Sequence, residues 1–287
     1  LPVGTVRKGI TITGVLVVLV AAVVVAIVFI TRIKGPQSPY CSVVATGSTS
    51  TGSTSTAGQP DNYTFTAEQA GNAATIAAVG MKLGLPPHAV TIALATAWQE
   101  SKLVNLTGGD RDSAGLFQQR PSQGWGTYNQ VTDPVYASTT FYQHLQAKSG
   151  WEQLSVAEAA QAVQHSAAPE AYAQWESEAR AMASALTGET QGQLSCHNLA
   201  VAPTKQDIGT VAAQEWGTNA LSGSHDANTG WAIGSWLVAK ATALGIDSVT
   251  VGGRTWTAAS GDWSASSGGS AASGMVSLHQ VQVTPTS

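Results

Sequence analysis

The sequence predicts a mainly α-helical protein: one transmembrane helix, then a helical domain, then a small α/β unit. Three observations predict this. Ile10 to Ile30 form an almost wholly apolar run. From about 62 to 188, helix start and stop signals alternate with little β pattern between them. Beyond 204, one apolar helical stretch precedes two short β-type runs that flank a glycine pair.

A bilayer core is crossed by about 20 apolar residues in a helix. A signal-peptide apolar region is shorter, about 7–15 residues, and ends at a small-x-small site. Thr31-Arg32-Ile33-Lys34 after the run is a poor cleavage site, so residues 1–34 read as a membrane anchor. Arg7 and Lys8 precede the run and Arg32 and Lys34 follow it, so the positive-inside count is a tie. Residues 35–61 read as a linker, because Ala45 to Pro60 is a low-complexity Ser/Thr/Gly stretch.

Within 62–188, Thr66-Ala-Glu-Gln69 is a capping-box pattern and Gly84 a stop. Pro86-Pro87 opens a second helix, HAVTIALATAWQES. Gly108 to Gly126 reads as loop. Asp133-Pro134 opens a third long helix closed by Gly150, Ser155-x-x-Glu158 caps a fourth, and Pro169 starts a fifth that runs to Leu186. In the small unit, 204–264, an apolar helix over Ala227 to Leu244 precedes strands around Gly252-Gly253. Residues 265–287 are Ser/Gly/Ala-rich and read as a disordered tail.

Apolar residues make up 43% of the 287, which allows a sizeable core. Net charge is -4, and all four ionic residues among the first 34 are basic. The 13 basic residues less those four leave nine against 17 acidic ones beyond the anchor. A body that acidic has no footprint for nucleic acid. Two cysteines without CxxC or Cys/His spacing argue against zinc, and the six histidines form no metal spacing, so no metal or cofactor is expected. A Cys41–Cys196 disulfide would tie the ends of the intervening domain together in an oxidising compartment; the alternative is two unrelated thiols.

On residue chemistry alone Glu100 is a candidate proton donor, the alternative being a solvated Glu at a helix end. It lies near the C-terminal end of an apolar helix, after Ile92, Leu94, Ala95, Ala97 and Trp98. A carboxyl there opposes the helix dipole and lies in apolar surroundings, both of which favour its proton-donating form. A glycosidase acid needs that form. Asp110 and Asp112, on the following loop, are candidates for a second carboxylate that directs water, or for turn chemistry. Trp125 and Tyr128 could stack on sugar rings or pack internally.

Glu100-Ser101 followed by Gly115-Leu116-Phe117-Gln118-Gln119 resembles the Glu-Ser … Gly-Leu-Met-Gln signature of the lytic transglycosylase and goose-type lysozyme family, in its actinobacterial wall-hydrolase branch. Ala162-Val163-Gln164 and Pro169-Glu170-Ala171-Tyr172 resemble its Ala-Tyr-Asn and Pro-x-x-Tyr elements, with the tyrosine of the first replaced by Val163. The resemblance spans roughly 62–188. It implies a lysozyme-like helical fold, Glu100 as catalytic acid at the base of a sugar cleft, and Ser101, Asp112, Gln118, Gln119, Gln164 and Tyr172 as substrate-side residues. The expected function is then a membrane-anchored enzyme that cleaves peptidoglycan glycan strands, as muramidase or lytic transglycosylase. Its location would be the cell membrane, single-pass, with the catalytic domain on the cell-wall side. Expected partners are peptidoglycan, the membrane through the N-terminal helix, and envelope proteins through the C-terminal unit. The alternative is a non-catalytic glycan-binding or scaffolding part of a conjugation or secretion apparatus. Ser224-His225-Asp226 reads as a turn.

Overall fold

A computed structural model describes residues 38–45, 62–166, 168–266 and 274–281. The chain divides into Leu1–Ser38 and Pro39–Ser287, and every element described belongs to the second unit.

The first strands are β1, Tyr40–Val44, and β2, Asn62–Phe65. Helix α1, Ala67–Lys82, starts at a full capping box: Thr66 Oγ1 accepts from the Gln69 amide and the Gln69 side chain accepts from the Thr66 amide. Helix α2, Pro87–Ser101, starts on proline and is buried on every face from Ala89 through Trp98. After a long loop come the short α3, Tyr128–Val131, and α4, Pro134–Gln146, whose N-cap Asp133 accepts two backbone amides. A second full capping box, Ser155 with Glu158, opens α5, Val156–Gln164. A 3-10 helix, Pro169–Trp175, runs directly into α6, Glu176–Leu186. The sequence predicts one helix from Pro169 to Leu186; the backbone instead tightens over its first seven residues.

Strand β3, Leu194–His197, pairs with β1, giving an antiparallel sheet in the order β2-β1-β3. Helix α7, Ile208–Glu215, and strand β4, Gly223–Ser224, lead to α8, Ala227–Ala239, and the one-turn α9, Ala241–Leu244. Strands β5, Ile246–Val251, β6, Arg254–Thr257, β7, Trp263–Ala265, and β8, Met275–Gln280, complete a five-stranded antiparallel sheet in the order β4-β8-β5-β6-β7.

One apolar cluster runs through the whole body, from Val43 and Phe65 through Ile92 and Phe141 to Trp231, Trp236 and Trp256. Helix α8 packs on α1 and α6 as well as on β3 and β5, so the C-terminal elements share the core of the helices. A buried ion pair adds to this join. Lys240 Nζ lies 2.8 Å from Glu215 Oε1, and Trp236 Nε1 donates to Glu215 Oε2 at 2.6 Å.

Three sequence expectations change here. Among the described residues no helix is long and apolar enough to cross a membrane. The fold class is therefore corrected to a mainly α body with two small sheets. The single-pass location and the membrane as a partner are withdrawn with the anchor; the Ile10–Ile30 run on which they rested lies outside the described residues. Second, Tyr40–Val44, expected within the linker, is the central strand of the first sheet, because β3 returns beside it. Third, Met275–Gln280, expected within the disordered tail, is a strand paired with both β4 and β5.

Candidate active site

The end of α2 sets the geometry. The helix stops because Lys102 and Leu103 both take left-handed backbone conformations, with φ of 56° and 57°. Their amides fold back onto the carbonyls of Trp98 and Ala97. Helix α1 fixes this reversal from the side: Gln69 Nε2 donates to the Lys102 carbonyl at 2.9 Å and Asn72 Nδ2 to the Leu103 carbonyl at 2.8 Å. Glu100, half-buried, therefore stands on a last turn whose exit is held at two points.

Ser101 is buried and points the other way. Its Oγ lies 2.7 Å from the Leu116 carbonyl and 3.0 Å from that of Ala97. It ties the helix end to the loop rather than facing substrate. The loop is folded tightly on itself. Gly115 donates its amide to the Leu106 carbonyl at 2.7 Å, and Asn105 Nδ2 donates to the Thr132 carbonyl at 2.8 Å. Gly115 has φ of 79°, and a Cβ there would collide with the Val131 carbonyl, so glycine is required.

Gln118 also has a left-handed backbone, φ 48°, and its Nε2 donates to the Gly115 carbonyl at 3.2 Å. A side chain on Gly109 would collide with the Gln118 carboxamide, so the glycine-rich loop closes over this residue. Gln119 is buried and donates to the Ala137 carbonyl at 3.1 Å; it serves the core and not a cleft. Gln164, the last residue of α5, donates to the Phe117 carbonyl at 2.8 Å and so pins the loop from its far side.

Tyr172 meets Glu100. Its hydroxyl donates to Glu100 Oε1 at 2.7 Å, and its ring is fully buried. Burial, the Glu100 charge and this bond together push the phenol well above its ordinary range, so Tyr172 acts as a fixed donor. Among the described residues no basic side chain forms an ion pair with Glu100.

Asp112 is held elsewhere. It accepts from the Ser122 amide at 2.7 Å, from Arg120 Nε at 2.9 Å and from Ser122 Oγ at 2.9 Å. Those bonds hold its carboxyl well below the usual carboxylate range. It is a clasp between the two ends of the loop, and Arg120 is its other half. Asp110 is exposed, and its ion pair among the described residues is with Arg111, at 3.8 Å. Trp125 stacks on His144 with ring centroids 4.1 Å apart, whereas Tyr128 is exposed and donates to the Thr107 carbonyl at 2.7 Å.

Four further residues, not singled out in the sequence, meet around the end of α2. Gln99 Oε1 accepts from Trp175 Nε1 at 2.7 Å, and Lys102 Nζ sits 3.9 Å from the centre of the Trp175 ring. Glu178, one turn into α6, is pushed up to about 7 by burial, against the opposing pull of Lys102. The signal for Trp175 was its spacing three residues beyond Tyr172, one turn of a 3-10 helix. In an α-helix the same spacing would not stack the two rings in one row.

Cys41 and Cys196 are directly opposite on β1 and β3 and are disulfide-bonded, both fully buried. Among the described residues no group of three His, Cys, Asp or Glu could hold a metal ion. Asp226 of Ser224-His225-Asp226 caps α8, accepting the Thr229 amide.

The chain matches no protein-family model and no curated protein. The function expected from the sequence, a membrane-anchored glycan-cleaving enzyme of the envelope, is thus corrected on two points. No described helix supplies the anchor, and no relative carries a peptidoglycan-cleaving activity to this chain. What bears on chemistry is the arrangement around Glu100.

Proposed function

We propose that this chain is a glycoside-cleaving enzyme of the lytic transglycosylase type, with peptidoglycan strands as substrate and Glu100 as the proton donor. The observation that carries the reading is the Tyr172–Glu100 pair. Among the described residues one hydroxyl, at 2.7 Å, orients a half-buried carboxyl at a fixed helix end, and the second carboxyl oxygen has no such partner. The Glu-Ser and Gly-Leu-Phe-Gln elements that resemble the family lie on the helix and loop that form this corner.

In this reaction Glu100 gives its proton to the glycosidic oxygen as the carbon–oxygen bond breaks toward that oxygen. The resulting carboxylate then takes the proton of the sugar's own 6-hydroxyl, whose oxygen closes on the anomeric carbon. Atoms balance without water or a second carboxylate. Asp112, occupied by Arg120 and Ser122, supports this one-carboxyl route over one in which it directs water.

The test is digestion of purified peptidoglycan by the wild-type chain and by Glu100→Gln, followed by the mass of the products. The expected result is fragments one water lighter than hydrolysis gives. Turnover should fall by about 100- to 10,000-fold in the variant, the usual loss of a general acid, with the fold intact by circular dichroism. A wild-type rate in Glu100→Gln ends the mechanism. Retention of glycan strands without any fragment release would make the domain a binder.

A further inference from the structure

Tyr172 can orient Glu100 only if the 3-10 helix that carries it keeps its register against α2. A 3-10 helix is poorly suited to hold itself, because its hydrogen bonds are less well aligned than those of an α-helix. Its N-cap, Ala168, offers no side-chain bond. Packing on α5 and continuity with α6 seat the segment, and side chains that reach across to α2 fix it beside Glu100.

Those side chains converge on Trp175. Its Nε1 donates to Gln99 Oε1 at 2.7 Å, and Gln174 Nε2 approaches the same oxygen at 3.4 Å. Lys102 lies on one face of its ring, 3.9 Å from the centroid. Trp98 packs against it with centroids 5.8 Å apart and is itself seated edge-on against Phe65 of β2. Three consecutive-turn neighbours of Glu100, namely Trp98, Gln99 and Lys102, thus hold Trp175, and Glu100 itself holds Tyr172. Because residues three apart eclipse in a 3-10 helix, Tyr172–Glu100 and Trp175–Gln99 form two parallel rungs between the same two elements.

We infer that Trp175, through its hydrogen bond to Gln99 and its seat between Trp98 and Lys102, is the positioning residue that sets the Tyr172 hydroxyl on the Glu100 carboxyl. The inference deepens the glycosidase reading and rests on it for its catalytic consequence. Trp175 touches no reacting atom. Its effect passes through Tyr172, so its loss misplaces the acid rather than weakening the hold on the glycan.

The test compares Trp175→Phe and Gln99→Met with the wild type and with Tyr172→Phe. Each variant of the second rung should lower kcat about tenfold, which is what loss of one neutral hydrogen bond of roughly 1.4 kcal/mol permits. KM should stay within about twofold, and the double variant should be no slower than either single one, since both remove one bond. The independent readout is the carboxyl carbon-13 signal of Glu100, assigned by its disappearance in Glu100→Gln. In both variants it should move toward its position in Tyr172→Phe. If the wild type releases no fragments, the glycosidase reading fails and the carboxyl signal alone decides the positioning role. An unmoved signal in folded Trp175→Phe and Gln99→Met overturns the inference, whether or not turnover falls.

Discussion

Replacing Lys240 with Met should destabilise the protein out of proportion to its place on the chain. Lys240 and Glu215 are 13% and 7% exposed in their side chains and meet at 2.8 Å. Lys240 Nζ also donates to Thr75 Oγ1 at 2.8 Å, and Thr75 Oγ1 in turn reaches Glu215 Oε1 at 3.1 Å. The network therefore ties α1, α7 and the end of α8 together. Methionine fills the stem's space but leaves the Glu215 charge buried with only Thr75 and the Trp236 indole. Removing one partner of such a pair costs about 3–5 kcal/mol. At roughly 2–4 °C per kcal/mol for a chain of this size, the melting temperature should drop by roughly 6–20 °C. Adding Glu215→Gln to Lys240→Met removes the stranded charge and should recover most of the loss. The assay is thermal unfolding followed by far-ultraviolet circular dichroism and by tryptophan fluorescence. Coincident transitions are expected, because Trp98 among the helices and Trp236 in α8 share one core. A single variant within about 1 kcal/mol of wild type, or a double variant no better than the single, would refute the reasoning.

Further outcomes follow from the charges and the crosslink. Glu178 is pushed up to about 7, above its unfolded value, so its contribution to stability is full below about 4.5 and is lost as pH rises through about 7. Melting temperature should accordingly decline between pH 5 and 8, and Glu178→Gln should flatten that decline; an unchanged slope in the variant counts against the assignment. Asp112 has the opposite sign. Its carboxyl is held below the usual range, so its support of the loop is present above about pH 4 and is lost as pH falls below that. Asp112→Asn should speed amide exchange at Ser122 at neutral pH, and protection equal to wild type would remove the clasp. The Cys41–Cys196 bond closes a loop with a sequence separation of 155. The chain-entropy model gives such a loop about 5 kcal/mol, so paired Cys→Ser substitution should lower the guanidinium midpoint clearly, and an unchanged midpoint would show that the bond constrains nothing.

What the sequence determined by itself was local. Thr66 with Gln69, Ser155 with Glu158, Asp133 before Pro134 and Pro87 at a first turn each name a helix start, because a cap needs only residues three or four apart. Glu100 stands out in the sequence for the same reason: its apolar helix is followed within the next few turns of chain by the glycine-rich loop. Tertiary structure decided whatever depends on distant partners. Tyr40–Val44 is a strand because β3 lies beside it, more than 150 residues later, and Met275–Gln280 is one because β4 and β5 flank it. Ser101, Gln119 and Asp112 look like site residues by type and proximity. Only the fold shows that they hold Leu116, Ala137 and Ser122 instead. Trp175 reads as one aromatic among nine tryptophans until the 3-10 turn places it one rung from Tyr172 and over Lys102. A side chain's partner is set by where the backbone carries both ends, and sequence spacing encodes that only within a few turns.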